Sequence, residues 1–324
     1  MGTVPATGTV PKFHFLMIIG HKRILNFLEK SIEHERLSHA YLFSGPAHLG
    51  KKAVASEFVK MLTGIEISET VHPDILIIEP QIIEKEGVQK EMEIGIPQIR
   101  EAQRRISLFA CQSSHKIAII NQADRMTREA SNCLLKTLEE PTGGTVLILI
   151  TSSFQSLLPT IVSRCQLINF LPVAGEEIEK GLVSLCGSSE AKKAARLANG
   201  RPGLAIEYCK NPKLLEEQNE AIADLEKLLR ANFNERCQYA EKAAKNTPEA
   251  RRNLGYWTIW FRDLLLSAAG CADLSLYPES SRASGFYSLP KLKNIIQAIR
   301  KTDNLLSNSS INARLSLEVL MMEF

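Results

Sequence analysis

Apolar positions along the chain follow two different rhythms, and the change falls near residue 171. Before it, short and nearly continuous apolar runs at 40–44, 74–79, 116–121 and 145–151, with a last one at 165–170, read as strands. Between them, at 22–36, 51–62, 96–108 and 128–139, apolar residues recur every three to four positions, the period of a helix with one buried face. The fourth of these helices is closed by Pro141 and the Gly143-Gly144 pair. Apolar runs of strand length suit strands buried on both faces, so the pattern predicts an α/β domain with a parallel sheet covered by helices. After 171 the strand signal stops. A small helical unit is expected over 176–211, holding the turn Asn199-Gly200-Arg201-Pro202-Gly203. Larger helices follow near 213–230, 233–245, 248–269, 290–306 and 311–323, with one long loop at 270–287. The expected organisation is a disordered tail at 1–18, an α/β domain at 19–172, a small helical domain at 173–211 and a larger helical domain at 212–324.

Composition narrows the class without naming a function. Of 324 residues, 44% are hydrophobic and 23% charged, which excludes a disordered, collagen-like or coiled-coil chain. No apolar run approaches the roughly 20 residues that span a bilayer, so no membrane partner is expected. The opening segment lacks the basic and apolar pattern of a secretory signal, and a cytoplasmic location follows as the default. A net charge of +3 does not by itself argue for nucleic acid. Seven cysteines are spread without metal-knuckle spacing, and reduced, buried thiols are expected for all of them.

Chemistry first appears at Gly45-Pro46-Ala47-His48-Leu49-Gly50-Lys51-Lys52, between a predicted strand and a predicted helix. This fits the first seven positions of the phosphate loop G-x-x-x-x-G-K-[ST], in which backbone amides cradle phosphate and the lysine reaches its outer oxygens. The eighth position should offer a hydroxyl to Mg²⁺. Here Lys52 stands there, and an ammonium cannot ligate a cation. The strand at 116–121 leads into Asn121-Gln122, the amide counterparts of the Asp-Glu pair with which working ATPases of this architecture hold the metal and activate water. Amides neither carry that charge nor accept that proton. The three departures fall on the metal and base positions, and they predict a scaffold that has lost hydrolysis. The alternative is that carboxylates are recruited from Asp124 or Glu139.

The segment Ser131-Asn132-Cys133-Leu134-Leu135-Lys136-Thr137-Leu138-Glu139-Glu140-Pro141 resembles the N-x-LLKTLEEP signature of bacterial clamp-loader subunits, which are AAA+ proteins. Thr160-Ile161-Val162-Ser163-Arg164-Cys165 resembles their Ser-Arg-Cys motif. Ile19-Gly20-His21, the approach Ser38 to Gly45, Ile99-Arg100 and the stretch Asn312 to Glu318 agree, so the resemblance covers nearly everything after about residue 18.

The resemblance implies a RecA-like core, a helical lid and a helical collar that packs in a five-membered ring. It implies tau/gamma motor subunits and a delta subunit as partners, with the sliding clamp and primer-template DNA reached through the assembly. Of the two related types, Lys52, Asn121, Gln122 and the turn Gly200-Arg201-Pro202-Gly203 resemble the delta-prime type, whose nucleotide chemistry has decayed. An active tau/gamma-like motor or a non-replicative AAA+ adaptor is the alternative. Residue by residue, the resemblance gives Arg164 the role of an arginine finger acting in trans and places Thr151 and Ser152 in the sensor 1 region. It makes Arg100 and Arg104, four positions apart on one helix, candidates for DNA contact. ATP or ADP bound without hydrolysis is the expected ligand, if there is one. Many relatives carry a four-cysteine zinc module soon after the loop; no cysteine lies between Lys51 and Ala110, so no zinc is expected.

Overall fold

The computed structural model describes residues 17–67, 72–85, 88–107, 113–276, 287–306 and 311–324. The tail expected at 1–18 lies almost wholly outside the described residues, as does most of the long loop expected at 270–287. The chain divides into two compact units, Met1–Ile206 and Glu207–Phe324.

In the first unit, α1 (Lys22–Glu33), β1 (Ala40–Ser44), α2 (Lys51–Thr63) and β2 (Ile75–Ile78) lead to a hairpin of β3 (Ile82–Lys85) and β4 (Val88–Glu91). Then come α3 (Ile96–Ile106), β5 (Lys116–Ile120), α4 (Arg128–Glu139), β6 (Thr145–Thr151), α5 (Pro159–Val162), β7 (Gln166–Asn169) and α6 (Gly175–Ala198). A left-handed Gly187 inside α6 breaks it into two helical stretches. Five strands form one sheet in the order β2-β5-β6-β1-β7, all parallel.

The double burial expected of these strands is visible residue by residue. Tyr41, Phe43, Ile117, Ile119, Val146, Ile148 and Ile150 face a core shared with Leu28, Val54 and Phe58 of α1 and α2. Their neighbours Ala40, Leu42, Ala118, Ile120, Leu147 and Leu149 face a second core with Ile99, Ala102, Leu134 and Leu138 of α3 and α4. Successive side chains leave a strand on opposite faces, so β1, β5 and β6 each feed both layers, whereas the edge strand β7 buries only Ile168. Burial of this kind contributes roughly 25 cal/mol per Å². It fixes the C-terminal strand ends, where open α/β sheets bind ligands.

α7 (Pro202–Lys210) spans the boundary between the units. The second unit is helical: α8 (Lys213–Arg230), α9 (Phe233–Ala244), α10 (Thr247–Ala268), α11 (Leu289–Leu306) and α12 (Ala313–Met321). Its core is built on Trp257, Trp260 and Phe261 of α10 with Leu225, Leu292, Ile295 and Leu317. The Trp257 indole N–H donates to the Ala221 carbonyl at 2.9 Å, which satisfies its one buried polar atom.

Candidate functional site

The loop between β1 and α2 is held from every side. Gly45 has φ 149°, and a Cβ there would lie 2.5 Å from the Phe170 carbonyl oxygen, so only glycine fits. Gly50, with φ 90°, turns the chain into α2. The Gly203 amide donates to the His48 carbonyl at 2.8 Å, which lays the first turn of α7 directly on the loop. His21 donates from Nε2 to the Leu49 carbonyl at 2.7 Å and rests edge-on against Phe170. Burial lowers the pKa of His21.

Lys51 is 7% exposed, and its Nζ donates to the loop carbonyls of Gly45 and Pro46, the latter at 2.7 Å. Burial pulls its pKa down to about 8, against an opposing pull from Asp124. The loop thus joins a strand to a helix as the sequence pattern expects, and the Lys51 ammonium is turned onto the loop's own carbonyls.

The metal and base positions are arranged differently. Lys52 Nζ lies 2.7 Å from Glu79 Oε1, and the Asn121 amide donates to the same oxygen at 2.9 Å. Glu79 follows β2, and β2 pairs with β5, so sheet order brings it beside Asn121. Gln122 is exposed and left-handed, with φ 55°. The donor set does not fit magnesium: the hydroxyl position bears an ammonium, and the nearby carboxylate is taken by that ammonium and an amide. Glu79 escapes the sequence reading because it lies 27 residues from Lys52 and 42 from Asn121. A carboxylate ending the strand beside β5 was its one available signal.

Neither of the carboxylates considered as replacements is open. Asp124 accepts from Thr151 Oγ1 at 2.9 Å, Ser152 Oγ at 3.1 Å and the Ser152 amide at 3.3 Å. The two residues expected in the sensor region thus bind an internal carboxylate and staple the end of β6 to the turn after β5. Glu139 Oε1 lies 2.8 Å from Arg164 Nη2, and Arg164 Nη1 donates to the Thr160 carbonyl at 3.1 Å. Arg164 is thus engaged within its own chain.

Arg100 and Arg104 are both exposed on α3, but Arg104 is held by both oxygens of Glu101 at 2.9 Å. Arg104 and Arg105 together hold the Glu101 carboxyl at a pKa of about 2. Among the described residues no group of three or more His, Cys, Asp or Glu is placed to hold a metal, and no helix is long and apolar enough to cross a membrane. The expectation of buried, reduced thiols is corrected on both counts: Cys186 and Cys209 are each disulfide-bonded, and of the free thiols Cys133, Cys165 and Cys237 are only partly buried and Cys271 is exposed. Spacing alone carries no sign of oxidised cysteines.

Residues 20–174 match the family described as "DNA polymerase III, delta subunit". The chain is 28% identical to DNA polymerase III subunit delta' of Bacillus subtilis strain 168, over 93% of this chain and 95% of that one. The tau subunit of the same organism is 29% identical over 50% of this chain, but only 30% of its own length is matched. Among solved structures, a gamma subunit-related protein of Thermotoga maritima superposes with a TM-score of 0.52 and 20% identity, covering 92% of this chain and 97% of that one. That likeness supports the fold alone, a parallel α/β sheet domain followed by a helical C-terminal domain. Over nearly its whole length the chain is thus similar to delta' subunits of DNA polymerase III, and its first unit matches the delta family model.

Proposed function

We propose that the chain is a non-hydrolysing subunit of a clamp-loader ring and lends Arg164 to ATP held by a neighbouring motor subunit. In this reading its partners are tau/gamma and delta subunits in the cytoplasm, and it serves the sliding clamp and primer-template DNA through the assembly. Nucleotide held by its own loop stays unhydrolysed.

The observation that carries the reading is the chemistry at the end of β5. Asn121 spends its amide on Glu79, and exposed Gln122 can orient a water but cannot take its proton. Glu79 itself already accepts from Lys52 and Asn121 on one oxygen. The isolated chain is expected to show no steady-state ATP turnover above that of a Lys51→Ala control. Turnover that this control abolishes would refute the proposal.

The trans role asks Arg164 to exchange partners. A half-exposed ion pair is worth about 0–1 kcal/mol, so its bond to Glu139 offers little resistance to a neighbour's phosphate. The guanidinium keeps donors beyond those given to Glu139 and Thr160, and its planar fork suits two phosphate oxygens.

A further inference from the structure

The Lys52–Glu79 pair is where the structure departs furthest from a metal-dependent phosphate loop. Position 52 opens α2, the place from which a hydroxyl would reach a divalent ion. The lysine is not turned outward: its Nζ is on Glu79 Oε1 at 2.7 Å, and its side chain is 31% exposed against 24% for Glu79. Asn121, at the position of the metal-holding aspartate, donates to the same oxygen at 2.9 Å. Two residues of the former metal site therefore converge on one carboxylate oxygen contributed by the adjacent strand.

We propose that the Lys52 ammonium is a built-in cation in place of the divalent metal, with Glu79 as its carboxylate partner and Asn121 fixing that carboxylate. An ammonium satisfies a single carboxylate with one charge and directed N–H groups, whereas magnesium demands near-octahedral oxygen ligation. The lysine is tethered at the first turn of α2, so Glu79 cannot turn to a metal without giving up its ion pair with Lys52. The site is thereby closed to divalent cations, whatever the loop itself binds. The proposal rests on reading residues 45–52 as an AAA+ phosphate loop, but not on ring assembly or on Arg164.

Mn²⁺ binding to the full chain, followed by electron paramagnetic resonance, tests it. The wild-type protein should bind no Mn²⁺ that Glu79→Gln removes. Lys52→Thr frees Glu79 and restores a hydroxyl. It should gain one Mn²⁺ site at least about tenfold tighter than any wild-type binding, a gain lost in Lys52→Thr/Glu79→Gln. If Lys52→Thr does not fold, Lys52→Gln keeps the length, drops the charge and should show the same gain more weakly. A wild-type Mn²⁺ site sensitive to Glu79→Gln would overturn the proposal. So would a folded Lys52 variant that binds Mn²⁺ no better than wild type. Clamp-loading and ATPase assays do not enter this readout, so failure here is separate from failure of the proposed subunit role.

Discussion

Lys51 carries a pH signature. Its folded pKa of about 8 lies below the ordinary 10.5, so between these values the unfolded chain holds more protons. Stability must then rise as pH climbs from about 8 towards 10.5, and below about 8 the buried charge is a steady cost. Lys51→Met removes the titration. Urea denaturation at about pH 7.5 and about pH 10 should show wild type gaining on the variant at the higher pH; an unchanged difference would count against a buried charged lysine. At this scale the sequence shows what is lost, through Lys52, Asn121 and Gln122, but not what replaces it. Glu79 and the Asp124 contacts with Thr151 and Ser152 join residues from different strand ends, and they can be found only once the strand order is known.

At the scale of elements, apolar rhythm located the sheet and most helices, because doubly buried strands and one-faced helices write their periods into the sequence. It failed where backbone geometry decides. The helix expected over 22–36 ends at Glu33. The Arg36 amide bonds the Ser31 carbonyl, and the Glu35 amide bonds that of Ile32. This is a Schellman closure with Glu35 in the left-handed position that glycine usually announces. The hairpin β3–β4 went unread because its segment is rich in charge and lacks a continuous apolar run.

Two predictions belong to this scale. A Cβ at Gly203 would lie 2.8 Å from the His48 carbonyl oxygen and 3.2 Å from its Cα, both backbone atoms. Gly203→Ala should therefore cost about 1–3 kcal/mol, seen as a lower urea midpoint. Arg236 donates to the carbonyls of Leu228, Leu229 and Met321, capping the C-terminal ends of α8 and α12 at once. A lysine cannot spread its donors over three such carbonyls, so Arg236→Lys should lose about 1–3 kcal/mol. Equal stability of the variant would show that the ends are capped well enough by water.

At the scale of the whole molecule, the change of rhythm near 171 separates the sheet from the helices that follow, whereas the compact units divide at 206. α6 therefore stays with the sheet-bearing unit, and α7 carries the boundary. Chain rhythm reports element type, not which neighbour an element packs on. The proposed trans role is also tested here. In a reconstituted loader, Arg164→Ala should lower turnover at the one site it faces by roughly 10³–10⁵-fold. Total ATPase should fall in part and clamp loading further, with assembly intact. Arg164→Lys keeps the charge, loses the fork and should rescue little. Wild-type loading by the alanine variant would leave Arg164 as the partner of Glu139 and nothing more.

Both tryptophans of the chain, Trp257 and Trp260, lie on α10 and are buried in the core of the second unit. Intrinsic fluorescence is therefore a private reporter of that unit, and the sheet-bearing unit can melt without moving it. Far-ultraviolet circular dichroism, by contrast, follows the helices of both. If the units unfold independently, the two optical transitions will not coincide, and a single two-state fit to either would misstate the stability of the chain. A substitution at Gly203 should then shift the dichroism curve while leaving the emission curve in place, and one at Arg236 should move the emission.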